Sequence, residues 1–115
     1  MTSAAASLLA LSDPNRLLLL RLLLEEPLTV GELTDTTGLG QSLVSHHLGV
    51  LARTGWLAAR ADGRRRVYSP AVAGTPLAPL AAWLRREIAL PGGMPEALVA
   101  PVARRPSPAL EDWLL

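Results

Sequence analysis

The link Gly38-Leu39-Gly40 constrains the fold of this chain more than any other segment. Just before it, Thr29-Val30-Gly31-Glu32 reads as a capping box. The Thr29 hydroxyl accepts from the Glu32 amide, and the Glu32 carboxylate reaches back to the Thr29 amide. The box opens a helix over about 30–37, which Gly38 ends in the left-handed conformation. Only Leu39 and Gly40 then precede a second helix starting at Gln41. Two helices joined by so short a Gly-bearing turn form a helix-turn-helix, whose second helix is the reader.

On that second helix, Val44, Leu48 and Leu51 make an apolar stripe at helical spacing. Gln41, Ser42, Ser45, His46, Gly49 and Arg53 fall on or near the opposite side. An ordinary solvated face carries Glu and Lys, which add helix propensity and i,i+4 pairs. Here the face is short-chained, uncharged for two turns, and rich in hydrogen-bond donors and acceptors. Small polar side chains let a helix sink into the major groove and meet base edges and phosphates. A surface helix that simply lacks charge is the competing reading.

The next segment favours the groove. Trp56 to Ala61 and Arg64 to Ser69 are two short runs with an Asp62-Gly63 pair between them, a strong hairpin signal. The hairpin carries Arg60, Arg64, Arg65 and Arg66 against one acid, Asp62. A cationic two-stranded arm beside a reading helix is a wing, suited to a phosphate backbone or the adjoining minor groove. A merely solubilising hairpin would mix both signs of charge. Net charge is +1 overall but is unevenly placed. Residues 1–40 set Arg16 and Arg21 against Asp13, Glu25, Glu26, Glu32 and Asp35, a net of −3. Residues 41–70 set Arg53, Arg60, Arg64, Arg65 and Arg66 against Asp62, a net of +4, and the remainder balances. Positive charge is concentrated where a nucleic-acid face is expected.

Four stretches stand in order and at matching spacing: Leu11-Ser12-Asp13-Pro14-Asn15-Arg16-Leu17, Pro27-Leu28-Thr29-Val30-Gly31-Glu32-Leu33, Gln41-Ser42-Leu43-Val44-Ser45-His46-His47-Leu48 and Asp62-Gly63-Arg64-Arg65-Arg66-Val67-Tyr68. Together they resemble the arsenic-repressor (ArsR/SmtB) family of bacterial winged-helix transcriptional regulators, over about residues 5–70 and on through the helix near 76–90. Two departures lie in the reading helix. The family usually has Ser where Gly40 stands and a cation where Gly49 stands, which implies a weaker N-cap and one fewer phosphate contact.

At 115 residues the chain suits one domain. Phe is absent and aromatics are scarce, so Leu and Ala must fill the core. A first helix is expected over about 3–11. Asp13 caps a second, about 14–26, with Pro14 at its first position. Leu at 17, 18, 19, 20, 22, 23 and 24 makes the second helix apolar on nearly every side, more than a monomer is expected to cover. Thr75-Pro76 starts a helix to about 90 with Leu77, Leu80, Trp83, Leu84, Ile88 and Leu90. Core packing alone suits Leu80 and Leu84. Taken together, the first helix and the 76–90 helix carry more apolar surface than one domain hides. The resemblance implies that these helices form a homodimer interface, here assigned to Leu8, Leu9, Leu80, Trp83, Leu84 and Ile88. Residues 91–115 read as a Pro-rich extension cut by Pro91, Pro95, Pro101, Pro106 and Pro108. Short turns are expected near 94–100 and 108–114, with Leu98, Val99, Leu110, Trp113 and Leu114 packed on apolar surface.

Other classes fit the residues poorly. No apolar run approaches a membrane span, and Leu17 to Leu24 is interrupted by Arg21. The start Met-Thr-Ser-Ala-Ala-Ala-Ser lacks a cationic secretory signal, and Cys is absent, so cytoplasm is the expected location. Many relatives of the resembled family bind thiophilic metals through Cys-x-Cys at positions held here by Thr29 and Gly31, neither of which supplies a thiolate. Others bind metals between C-terminal helices, but the 76–90 helix has one carboxylate, Glu87, and no His. His46 and His47 are sequence neighbours and diverge by about 100° on a helix, so they do not chelate together. His47 leans toward the apolar stripe as a structural residue, while His46 faces out. No nucleophile–base pair, phosphate loop or metal cluster suggests an enzyme, and Ser45 beside His46 is not a triad.

The expected protein is mainly α, with one two-stranded wing, and dimerises through its N- and C-terminal helices. Its domain is residues 1–90. It binds an inverted-repeat duplex through Gln41, Ser42, Ser45, His46, Arg53, Arg64, Arg65 and Arg66, and needs no cofactor or metal. Whether a small molecule or protein acts as effector is left open. A winged helix used only as a protein-interaction module is the alternative.

Overall fold

A computed structural model of the protein describes residues 3–90. In chain order these form α1 (Ala4–Ala10), α2 (Pro14–Leu23), β1 (Leu28–Thr29), α3 (Val30–Thr37), α4 (Gln41–Arg53), β2 (Leu57–Asp62), β3 (Arg65–Pro70) and α5 (Ala78–Glu87). The expected turns and packing of the 91–115 extension lie outside the described residues.

The helix starts follow their capping side chains. Asp13 accepts from the amides of Asn15 and Arg16 at 2.8 and 3.2 Å, with Pro14 in the first turn, where its missing N–H costs nothing. The capping box of α3 is complete, with Glu32 N–H donating to Thr29 Oγ1 at 3.1 Å and Thr29 N–H to Glu32 Oε1 at 2.9 Å. Gly38 ends α3 at φ 72°.

The sheet is antiparallel in the order β1-β3-β2, so the expected two-stranded hairpin gains a third, two-residue strand. Leu28 pairs with Tyr68 and Thr29 with Val67. Thr29 therefore ends a strand and caps a helix at once, which ties the helix-turn-helix to the base of the wing.

The core corrects one expectation outright. Leu17, Leu18, Leu19, Leu20, Leu22 and Leu23 are all buried within a single chain. The chain covers α2 on every side because α4 and β3 pack against it, and Trp56, Leu33, Val44, Leu48 and Leu51 fill the same core. Each such side chain contributes about 1.5–3 kcal/mol by leaving water. Trp56 is fully buried, and its indole N–H donates to Ser7 C=O at 2.8 Å. The Ser7 hydroxyl donates to Thr54 C=O at 2.7 Å, so α1 is hooked to the end of α4.

The end of the second helix and both ends of the last helix move inward. The helix α2 stops at Leu23, which frees Glu25 to pair with Arg21 and with Arg85 of α5. A turn through Thr75 to Leu77 precedes α5, which begins at Ala78 with Pro79 in its first turn. Ile88 leaves α5 in an extended conformation and is buried, as is Leu90.

Candidate nucleic-acid interface

The short Gly-bearing link aims α4 outward. Val44, His47, Leu48 and Leu51 are buried, whereas Gln41, Ser42, Ser45, His46 and Arg53 are all exposed. Leu43 is exposed beside them. Gly40 caps α4 with no side-chain hydrogen bond, as the substitution for Ser implied. A Cβ added at Gly49 would stand 3.2 Å from Arg53 Nη1. The Arg53 guanidinium thus folds back toward the N-terminus, as long helical side chains do, and brings a cation to the level of position 49.

His47 is braced from beneath. Arg16 Nη1 lies 3.2 Å from His47 Nδ1, and Arg is a donor only, so Nδ1 accepts and the ring proton sits on Nε2, 4.0 Å from Asp13 Oδ1. Burial pushes the His47 pKa below its ordinary value; the Arg16 and His46 charges push the same way, and Asp13 opposes them. Arg16 Nε also donates to Ala10 C=O at 2.6 Å. One guanidinium therefore joins the end of α1, the start of α2 and the reading helix. Arg16 stands in the Asp13-Pro14-Asn15-Arg16 motif, but its role is invisible locally, because only the fold brings residues 16 and 47 together.

In the wing the register pairs Asp62 with Arg65, so Gly63 and Arg64 form the two-residue loop. Gly63 has φ 64°, and no residue other than glycine has positive φ among those described, which suits a type II′ turn. Asp62 is thus a strand residue, 3.7 Å from the Arg65 guanidinium. Pairing across the hairpin sets Arg60 and Arg65 on one face and Arg66 with Tyr68 on the other, while Arg64 stands at the tip. The Arg66 guanidinium lies 5.8 Å from the centre of the Tyr68 ring. Arg60, Arg64, Arg65 and Arg66 are all exposed. The helix α4 packs on β2, so the reading helix is joined directly to the base of the wing.

Comparison with known proteins agrees with this geometry. Residues 13–56 match the family model described as bacterial regulatory protein, arsR family. Over 80 residues the chain is 42% identical to the uncharacterized HTH-type transcriptional regulator Rv0081 of Mycobacterium tuberculosis, covering 69% of this chain and 68% of that protein. The chain belongs to the ArsR family. Its members are transcriptional regulators rather than enzymes. The homodimeric winged helix-turn-helix DNA-binding domain of Mb0332 from Mycobacterium bovis superposes with a TM-score of 0.63 at 30% identity, covering 71% of this chain and 74% of that one. A probable mercury resistance operon repressor of Streptomyces lividans is 42% identical over 60 residues, 52% of this chain and 48% of that protein. This protein is accordingly a DNA-binding, winged helix-turn-helix transcriptional regulator.

For an ArsR-family chain the terminal helices matter next. Leu8 and Leu9 of α1 and Leu80 and Trp83 of α5 are exposed, at 54, 69, 39 and 50%. Leu84 and Ile88, assigned from the sequence to the same interface, are instead buried in the chain's own core, because the stripe is wide enough that its inner edge packs inward. Among the described residues no three His, Cys, Asp or Glu side chains are grouped to hold a metal ion. The His46 and His47 rings are tilted by 55° with centres 5.4 Å apart. No helix among them is long and apolar enough to cross a membrane.

Proposed function

We propose that this regulator is a homodimeric repressor that reads an inverted-repeat operator and neither needs metal to bind nor releases DNA in response to it. The observation that carries the reading is the pairing of an exposed, uncharged Gln41/Ser42/Ser45/His46 face with an adjoining arm of exposed arginines. The small polar face suits base edges, and the arginines suit phosphates. Arg53, Arg64, Arg65 and Arg66 take the positioning contacts, and Gln41 is suited to a bidentate contact with adenine.

Dimerisation is supported by the exposed Leu8, Leu9, Leu80 and Trp83, whose solvation would be costly, and by the homodimeric state of the Mb0332 domain. Repression is supported by likeness to the mercury operon repressor. Mercury does not transfer with it, because the chain has no thiolate to bind a soft metal.

The test is a salt titration of purified protein on duplex DNA enriched from its own genome. A steep fall in affinity with salt, together with a preference for an imperfect inverted repeat, supports the reading. Chelator, zinc, nickel and arsenite should leave the affinity unchanged. A reproducible shift of more than about tenfold with any one metal, within the range of real allosteric coupling, overturns the metal-free claim. Absence of DNA binding at low salt overturns the whole reading in favour of a protein-interaction module.

A further inference from the structure

Five large hydrophobic side chains are exposed among the described residues: Leu8, Leu9, Leu80, Trp83 and Leu43. Four belong to the terminal helices and share one explanation. Leu43 does not. It lies in the first turn of α4, 41% exposed, flanked by Ser42 and with His46 three residues on, both exposed. Leu43 therefore stands at the edge of the short, polar face, about 60° round the helix from His46, with part of an apolar side chain left open to solvent beside it.

We infer that Leu43 reads a thymine by packing on its C5-methyl group, an inference that rests on α4 being the DNA-reading helix. The major-groove edges of the bases present one apolar feature, that methyl, against a field of donors and acceptors. The N-terminal residues of a reading helix reach the base edges, and Leu43 is the third residue of α4. A helical leucine leans toward the helix N-terminus, which here is the Gly40 end, where an added Cβ would meet nothing within 4 Å. Burying Leu43 against a methyl removes two apolar surfaces from water together, whereas leaving it opposite a cytosine or guanine edge buries a polar group unpaired. The discrimination acts on sequence and leaves the charge count untouched.

The experiment uses the full chain and a duplex enriched by it from a random-sequence pool. Each thymine of that duplex is replaced in turn by deoxyuridine, which removes only the methyl. For the natural protein, one replacement per half-site should weaken binding about fourfold, the equivalent of one buried methyl at tenfold per 1.4 kcal/mol. For Leu43→Ala the same replacement should change nothing, while Leu43→Met, which keeps an apolar chain, should retain the loss. The dependence of affinity on salt should be the same for all three proteins, since no phosphate contact is altered. Leu43 is exposed, so neither substitution disturbs the core. If every deoxyuridine is harmless to the natural protein, or if Leu43→Ala keeps the full loss, the inference is overturned while DNA reading by α4 stands. If no sequence is enriched, the DNA reading itself fails and this inference falls with it.

Discussion

Arg16 shows how one half-buried cation can set the reading helix. Its guanidinium spans Ala10 C=O and His47 Nδ1, and that second bond exists only while His47 is neutral. The pKa of His47 is lowered by burial first, so the folded chain binds fewer protons than the unfolded chain below the ordinary value of 6.5. Its contribution is therefore present above 6.5 and lost as pH falls from there toward the lowered folded value. Thermal melts at fixed protein concentration should show stability declining below about pH 6.5, and His47→Gln, which still accepts from Arg16, should flatten that decline. An unchanged pH slope in His47→Gln would remove His47 from the account. On the DNA side, Gln41→Ala should cost about 1 to 3 kcal/mol on the preferred operator and little on random duplex. Arg64→Ala at the wing tip should weaken all sequences alike and lower the salt slope by about one unit. Arg65 and Arg66 occupy opposite faces of the hairpin, yet each is assigned a phosphate contact, so Arg65→Ala and Arg66→Ala should each lower the slope by about one unit. A loss from one of them alone would mean that only one face of the wing meets the duplex.

Besides its core packing, the helix α5 is tied to the end of α2 by a small polar network centred on Glu25. Glu25 accepts from Arg85 at 3.1 and 3.0 Å and from Arg21, whose Nε donates to Ile88 C=O at the exit of α5. The Arg85 hydrogen bonds are the first cause that holds the Glu25 carboxyl at about 2, and the Arg21 bond and both charges add to it against burial. A depressed carboxyl contributes stability above its unfolded value of 4.5 and loses it as pH falls through the folded value of about 2. Glu25→Gln should destabilise by about 1 to 2 kcal/mol at pH 7, discounted from the full shift because Arg85 stands in solvent. The same variant should lose less stability than the natural chain between pH 4.5 and 2, by denaturant melts. The Arg21 and Glu25 spacing of four is local, but Arg85 and Ile88 reach that pair only through the fold, so the network as a whole was not legible in the sequence. What was legible is what chemistry writes locally: the Asp13 and Thr29 caps, the Gly38 stop, the stripe of α4 and the Gly63 turn. The strand β1 escaped because two residues carry no period, and Thr29 was already spoken for as a cap. The Asp62-Gly63 pair announced the hairpin but not its register, which pairing between strands decides.

At the scale of the whole molecule, the division of α5 between core and surface tells which substitutions test assembly and which test folding. Leu84 and Ile88 are within the chain's own core, so Leu84→Ala should cost about 2 to 5 kcal/mol of stability whatever the oligomeric state. Trp83 is half exposed on the same helix, so Trp83→Glu leaves that core intact and places a charge on the surface assigned to the proposed dimer contact. The expected outcome is a monomer by sedimentation with the helical circular dichroism signal retained, and loss of tight operator binding. The last loss follows from geometry. Two reading helices related by a two-fold axis meet half-sites about one helical turn apart, roughly 34 Å, and a single helix gives up half of the base contacts and half of the counterion release. The salt slope of the variant should accordingly fall to about half. A Trp83→Glu protein that stays dimeric would move the interface off the α5 face, and one that is monomeric yet binds the operator with the full slope would show that a single wing and reading helix suffice.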